Sequence, residues 1–392
     1  MASPPATILI GDLATAPGTD TSSINQAQRV IDMDDRIAEL EPNAAPLVVL
    51  LKKLKKVQAI SPKVEWLEHL LMPRYGALTA TATNVITTLT VADATLFRVG
   101  DIVRNTATGE AVEVTGVPSS TSLNVNRGIG SVPAAAMGAT DELFIVANVN
   151  VEGASLRTIK TTKLNNLWNF CEIVRTPMGI TGTEAASKLY GGPDRARLQA
   201  TNGIEHMRDW EHICFFGARK EDVTTAGAPK RFAGGLIEYI QTNRTTAVGT
   251  LTEAAWVAFL RQAFRFGSER KILFAAPLVV QAIEGFARNN IRVSTSEDNY
   301  ASTYGVTMKT YVSGQGTVDI VMERAWNDGT AYKGYAFMVD MDALEFHTLR
   351  DTKLLEGRQA NDADKLEDEY LTEACPVVKN EQKHALLTGV SG

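Results

Sequence analysis

Cysteine and histidine are scarce in this chain, at 3 and 5 of 392 residues. Cys171, Cys214 and Cys375 are too few and too scattered for a disulfide framework or a zinc site, so a reducing compartment is expected. No segment approaches the ~18 consecutive apolar residues that cross a bilayer. The opening stretch MASPPATILIGDLATAPGTD lacks the basic and continuous apolar regions of a secretory signal, which makes the cytoplasm the expected place of synthesis. Positive charge is not in excess either: the formal net charge of −6 argues against a general nucleic-acid binder.

Catalytic signatures are equally thin. There is no G-x-S-x-G, and FGSER around Ser268 offers the serine and one glycine only. GAPKRFAGG puts Lys230 ahead of the glycines, without the spacing of a phosphate-binding loop. SGQGTVD, with Gly314 and Gly316, and RGIGSVP, with Gly128 and Gly130, read as hairpin turns. NDADKLEDEY is acidic but lacks the glycine and ligand ladder of a calcium loop. Cys171 with His347 or His384 as nucleophile and base is a combination that any chain of this composition offers. No catalytic residue, cofactor or metal ligand is assigned, and their absence favours an assembly protein.

What is present is mostly helix and strand patterning. In RLQATNGIEHMRDWEHICFFG, residues 197–217, His206 and His212 point roughly 120° apart around a helix and cannot share a metal. Ala196, Ala200, Ile204, Met207, Trp210 and Cys214 recur every three or four residues, which predicts a packed amphipathic helix with solvated or interface charges. Gly217 is expected to end it in the left-handed conformation. Nearer the start, an Ala-, Pro-, Thr- and Gly-rich stretch predicts a disordered arm. Val30, Met33, Ile37 and Leu40 then stripe one helix, and Leu47, Leu50, Leu51, Leu54 and Val57 a second. Lys52, Lys53, Lys55 and Lys56 fill the opposite face of the second, which reads as a solvated face open to an acidic partner in another copy, or else as a membrane or nucleic-acid surface.

Residues 77–152 form a compositional island with no lysine, dense in threonine and valine, with Phe97 and Phe144 as its aromatics. The runs NVITTLTV, DIVRN, EAVEVTGV, SLNVN and ELFIVANV alternate with turn residues, which predicts a small all-β module inserted into a larger host. Beyond it, Trp256, Phe259, Leu260, Ala263 and Phe264 predict a helix from Thr252 to Phe266 that stops at Gly267. KILFA reads as a strand, Pro277 as the first turn of the next helix, and VTMKTYV, TVDIVME, YAFMVD and LEFHTL as further strands. Mixing without strict alternation indicates an α+β fold.

Three of these stretches, SPKVEWLEHLLMPR (61–74), NNLWNFCEIVRTPMGITGTEAASKLYGG (165–192) and PVVKNEQKHALLTG (376–389), together resemble one group of tailed-bacteriophage major capsid proteins. They are similar, in order, to the segment opening that group's extended loop, to its return strand with the turn into its long helix, and to its closing strands. The resemblance implies the Hong Kong 97-type capsid fold. Its parts here would be an N-terminal arm over 1–60 and an extended loop over 61–180 with the β domain inserted at 77–152. A peripheral domain would follow from 181–233 and 340–392, and an axial domain from 234–339. The spine helix would run from about Thr183 to Phe216, broken near Gly191 to Pro193.

The implied function is that of a structural virion protein, not an enzyme. It would self-assemble into pentamers and hexamers of an icosahedral shell around double-stranded DNA, without sequence-specific contact and without a membrane. Other copies would be its main partners, with portal, scaffolding and decoration proteins as further candidates. The arm is too short for a scaffolding region, which implies a separate scaffolding protein or none, and no Lys, Asn and Glu trio matches covalent cross-linking. The expected location is the virion capsid, after assembly in the host cytoplasm. Leu47, Leu51, Leu54, Lys52, Lys55, Trp66, Arg175, Arg195 and Arg208 are the expected subunit-interface residues. Another phage structural or membrane-adjacent protein, anchored by residues 47–57, and a cysteine- or metal-dependent enzyme are the competing readings.

Overall fold

The computed structural model describes residues 45–153, 161–187, 194–224, 228–290, 309–327, 329 and 331–391. The helix expected around Val30 to Leu40, and the expected arm up to residue 44, lie outside the described residues. The chain divides into two compact units: Glu65–Trp168, and a larger one formed by the sequence on either side. The chain enters the smaller unit along strand Lys63–Glu68 and leaves it along Asn165–Phe170, and these two strands pair with each other.

Helix Pro46–Leu54 opens the described part of the larger unit, with proline in its first turn, where the missing N–H has no intrahelical role. Leu47, Val48, Leu50 and Leu51 are all fully buried. The expected helix over 47–57 is too long, because Lys56–Gln58 finds a sheet edge and adds in parallel to strand Leu344–Leu355. The expected arm over 1–60 is corrected likewise: residues 45–60 belong to the folded unit.

Leu344–Leu355 and Lys365–Val378 form a long hairpin, and Glu172–Thr181 pairs along the second of these strands from Glu172 opposite Ala374 to Thr181 opposite Lys365. Against this four-stranded sheet lies the long helix Asp194–Phe216. A short helix, Gly182–Ala186, precedes it, started by the Thr181 hydroxyl accepting from Glu184 N. The expected break near Gly191 to Pro193 lies outside the described residues.

The buried face of the long helix differs from the expected one. Trp210 and Cys214 are buried, but Ala196 and Ala200 are exposed, and His206 and Glu211 are inside. Gly217 does not adopt the left-handed conformation. It is required for space, because a Cβ there would run into the carbonyl oxygens of Ala233 and Ile213.

The second sheet of this unit has six strands, in the order Arg244–Gly249, Ala385–Val390, Ala336–Val339, Arg270–Ala275, Gly316–Met322 and Lys309–Ser313. Its central strand RKILFA is buried from Lys271 onward, as an apolar run in mid-sheet must be. Helix Glu253–Ala263, capped by the Thr252 hydroxyl, and helix Pro277–Asn290 contribute Trp256, Phe259, Leu260, Val279 and Ile283 to the core beneath it. The expected grouping of 340–392 into one peripheral segment is corrected. Its last strand, Ala385–Val390, pairs with Ala336–Val339 and Arg244–Gly249 in the six-stranded sheet. Gly314 and Gln315 form the tight turn between edge strand Lys309–Ser313 and its neighbour Gly316–Met322, as their sequence predicts.

Within Glu65–Trp168, six strands run in the order Tyr75–Ala77, Glu142–Asn148, Asp101–Asn105, Ala111–Ser119, Ser122–Asn126 and Thr88–Thr90. Alternation puts Val112, Val114, Leu123 and Val125 on the inner face, where they meet Leu78, Leu89, Val103, Leu143 and Phe97. RGIGSVP is not a hairpin turn. It belongs to a long loop folded around Glu110, which is fully buried and accepts 2.7 Å bonds from Arg127 Nε and Nη2 and 3.0 Å bonds from Gly128 N and Ala135 N. Arg127 also donates to the carbonyls of Thr83, Ile86 and Ala135, so one ion pair organises three loop segments. Burial alone would raise the Glu110 pKa, but Arg127 and the two N–H groups bring it below the ordinary carboxylate range. Glu110→Ala, which leaves the guanidinium buried and unpaired, is expected to cost this unit about 3 to 5 kcal/mol. Scanning calorimetry should show it as an earlier transition.

Candidate assembly site

Helix Pro46–Leu54 is held by polar groups at both ends, on the long helix at one and on strand Leu344–Leu355 at the other. At its N-terminus Glu211 accepts from Leu47 N and Val48 N, each at 2.8 Å, so a buried carboxylate satisfies two amides that the helix itself leaves unpaired. Burial pushes the Glu211 carboxyl up to about 7, against the opposing pull of the two N–H donors. Nearer the C-terminal end, Lys52 Nζ donates to Thr352 Oγ1 at 2.6 Å.

From there a chain of short contacts crosses the interior. Thr352 and Thr372 hydroxyls are 2.7 Å apart, Thr372 Oγ1 is 2.7 Å from His206 Nε2, and His206 Nδ1 is 2.9 Å from Thr176 Oγ1. A charged lysine can only donate, so Thr352 Oγ1 accepts from Lys52, and a neutral His206 offers one donor and one acceptor nitrogen to the two threonine hydroxyls that flank it. Burial, aided by the Lys52 charge, holds its pKa down at about 4, and burial lowers Lys52 to about 8. Five elements of the fold are joined by this one chain.

This placement reassigns several expected interface residues. Leu47 and Leu51 are closed off within the chain and cannot meet a neighbour. The same burial removes the apolar face that a membrane anchor over 47–57 would need. Lys52 turns inward, while Lys55 pairs with Asp342 at 3.0 Å and Lys56 with Asp351 at 2.5 Å. Leu54 ends the helix. Trp66 is buried and its indole N–H donates to Glu68 Oε1 at 3.0 Å. His206 is fully buried, whereas His212 is exposed.

Arg175 and Arg195 stay near the surface. Arg175 and Arg358 share Glu369, at 2.5 and 3.2 Å, and Arg195 grips Asp368 through two bonds of 2.8 and 2.9 Å while reaching Glu356 at 3.4 Å. The Arg195 guanidinium draws the Asp368 carboxyl below its ordinary pKa. Arg175, Arg358, Asp368 and Glu369 border a depression of about 440 Å³ lined also by Pro177, Met178, Gly179 and Glu367. Arg208 pairs with Glu205 on the same helix at 2.9 Å.

Sequence reasoning missed Glu211, Lys271 and Asn169. Lys271 Nζ donates to the carbonyls of Ala263, Phe266 and Lys383, and the Asn169 amide bridges Gly234 and Pro376. All three cysteines are free and buried, and the Cys171 thiol lies against the Cys375 thiol rather than beside His347 or His384. Among the described residues no group of three or more metal-ligating side chains comes together. No described helix is long and apolar enough to cross a membrane.

Large apolar side chains are left uncovered around the paired strands at the neck of the smaller unit. Leu67 is 64 % exposed, Leu71 86 % and Leu164 59 %, with Leu70 also exposed. Leu67, Leu70, Leu71 and Leu164 are thus large apolar side chains exposed on or beside the two paired strands.

The model of the SU10 major capsid protein family matches residues 16–391. The chain belongs to the SU10 major capsid protein family. It is similar to the major capsid protein of Pseudomonas phage PaMx41, with 21% identity over 317 residues, covering 78% of this chain and 75% of that protein. In fold it resembles the cyanophage A-1(L) capsid asymmetric unit, with a TM-score of 0.54 at 10% identity, covering 94% of this chain and 99% of that one. The capsid of a native GTA particle matches with a TM-score of 0.51 at 8% identity, covering 96% and 100%. Gordonia phage Cozz matches at 0.51 and 10% identity, covering 98% and 99%. As a member of this family, with the Hong Kong 97-type fold, the chain is a structural virion protein of a tailed phage that builds an icosahedral shell, and it is not an enzyme.

Two outcomes follow for the helix clamp. Glu211→Ala strips both capping bonds and should lower stability by about 2 to 4 kcal/mol. Hydrogen exchange at Leu47 and Val48 should accelerate with it. His206 and His384 are both buried neutral, each lowered to about 4 by desolvation first. Their folded values lie below the unfolded value near 6.5, so their contribution is intact above about pH 6.5 and is lost as pH falls towards 4. The melting temperature should drop through that window, and less steeply in His206→Gln.

Proposed function

We propose that this capsid protein closes its shell by laying the neck of the smaller unit, with exposed Leu67, Leu71 and Leu164, onto another copy. The observation that carries the reading is this uncovered apolar surface. Single exposed leucines are common, but several flanking one pair of strands form a patch of the kind that marks an interface. The strand pair would be the extended loop of the fold, and residues 75–148 a β domain displayed on it. The segment before Ala45 would act as an arm that crosses to a neighbour. Pentamers and hexamers around double-stranded DNA are the assemblies this arrangement serves, with residues 234–339 gathered around the symmetry axes.

Arg175 and Arg195 remain the best polar contacts of this interface, because each keeps part of its guanidinium in solvent beside an acidic partner. The net charge of −6 suits a shell that encloses DNA without gripping it. Portal, scaffolding and decoration proteins are the further partners proposed.

The test is Leu67→Asp with Leu71→Asp. Both side chains are exposed, so the subunit should keep its fold and its melting temperature, with a change within about 0.5 kcal/mol. Shell yield in electron micrographs and sedimentation profiles should fall at least about tenfold, because a charge buried at each contact costs several kcal/mol. Normal shells from the double variant would remove the neck from the interface.

A further inference from the structure

Cys171 and Cys375 stand opposite each other at the mouth of the Glu172–Thr181 and Lys365–Val378 pairing. Glu172 faces Ala374, and one residue further out the two Sγ atoms are 3.6 Å apart. Opposed Cα atoms of antiparallel strands are ~4.5–5.5 Å apart, inside the ~4.4–6.8 Å range that a disulfide spans. The backbone on both sides is already pinned, by Asn169 Nδ2 donating to Pro376 O at 2.7 Å and Cys171 N donating to Pro62 O at 2.7 Å. Bringing the sulfurs to bonding distance therefore needs side-chain rotation rather than strand movement. Both thiols are free and shielded from solvent.

We propose that Cys171 and Cys375 form an oxidisable dithiol, a modification site that closes to an intrachain disulfide when the shell meets peroxide. A peroxide is close to water in size, so local breathing of the strand end suffices for entry. Cys171 is the reacting thiolate: hydrogen bonding with Cys375 holds its pKa below the ordinary thiol value, while the same contact and burial push Cys375 up and keep it protonated. The Cys171 thiolate attacks one peroxide oxygen, the O–O bond breaks and hydroxide leaves, giving a sulfenic acid. The Cys375 sulfur, losing its proton to that hydroxide, then attacks the Cys171 sulfur. The S–O bond breaks, an S–S bond forms and the hydroxyl departs as water after protonation. Two thiols and one peroxide give one disulfide and two waters.

The closed loop would join residues 204 apart and contain the long helix and most of the six-stranded sheet. Such a link restricts the unfolded chain most when the loop is long. In a reducing cytoplasm the pair stays open, so folding and assembly are unaffected, and an oxidising exterior locks it.

The experiment treats assembled wild-type shells with graded hydrogen peroxide, blocks free thiols under denaturing conditions and maps peptides without reduction. A linked Cys171–Cys375 peptide is expected, with Cys214 still alkylated and a rise in melting temperature of roughly 5 °C that a dithiol reductant reverses. Cys171→Ala and Cys375→Ala should each abolish the rise, and Cys214→Ala should not. Two free thiols at every peroxide dose, separate sulfinic acids, or a link through Cys214 would each overturn the proposal. The wild-type peptide map decides this even where a variant fails to fold.

Discussion

Glu211 is a carboxylate with almost no access to solvent, and much of the larger unit is arranged around keeping it satisfied. It accepts from the first amides of helix Pro46–Leu54 and also hydrogen-bonds with buried Glu323, so the polar requirements of a buried acid and of a helix end are met together. A few positions away on the same helix, His206 is met in the same manner by hydroxyls that lead to Lys52. The long helix is mixed in polarity along its length and could not be held by apolar packing alone. Its polar side chains take specific partners, and those partners fix the register of the neighbouring elements.

The long helix also bridges the two sheets of the larger unit. Trp210 meets Phe346 of the four-stranded sheet edge-on at 5.5 Å, while Phe215 packs on Phe274, Phe337 and Trp326 at 5.4, 5.0 and 4.8 Å. A subunit built this way resists deformation between its sheets. Within the smaller unit, Leu67, Leu71 and Leu164 are left exposed. This division suits a shell protein, whose many contacts are each modest and whose subunit must keep its shape while making them.

Local pattern in the sequence carried far wherever one element's own residues decide its structure. The helix predicted from Thr252 is present as Glu253–Ala263 because the threonine hydroxyl caps it, and KILFA is a strand because a continuous apolar run fits mid-sheet. The short β-prone runs between residues 85 and 149 are strands for the same local reason. Contacts across more than 150 residues were illegible. Glu211, Lys52 and His206 read as a solvated charged face, since nothing in the local spacing shows that Leu47, Thr352 and Thr372 will reach them. The same blindness placed the buried Leu47 and Leu51 at an interface and grouped Ala385–Val390 with the rest of 340–392 rather than with its sheet partners Arg244–Gly249 and Ala336–Val339. Exposure could not be read either: Leu67 and Leu71 are ordinary apolar residues in sequence, and only the fold leaves them bare.

The most direct measurement is a cryo-electron microscopy reconstruction of the assembled shell at side-chain resolution. The account predicts Leu67, Leu71 and Leu164 buried against a neighbouring copy in every capsomer, with helix Pro46–Leu54 still seated on Glu211 of its own chain. A shell in which these leucines face solvent, or in which that helix is docked on another copy, would contradict it.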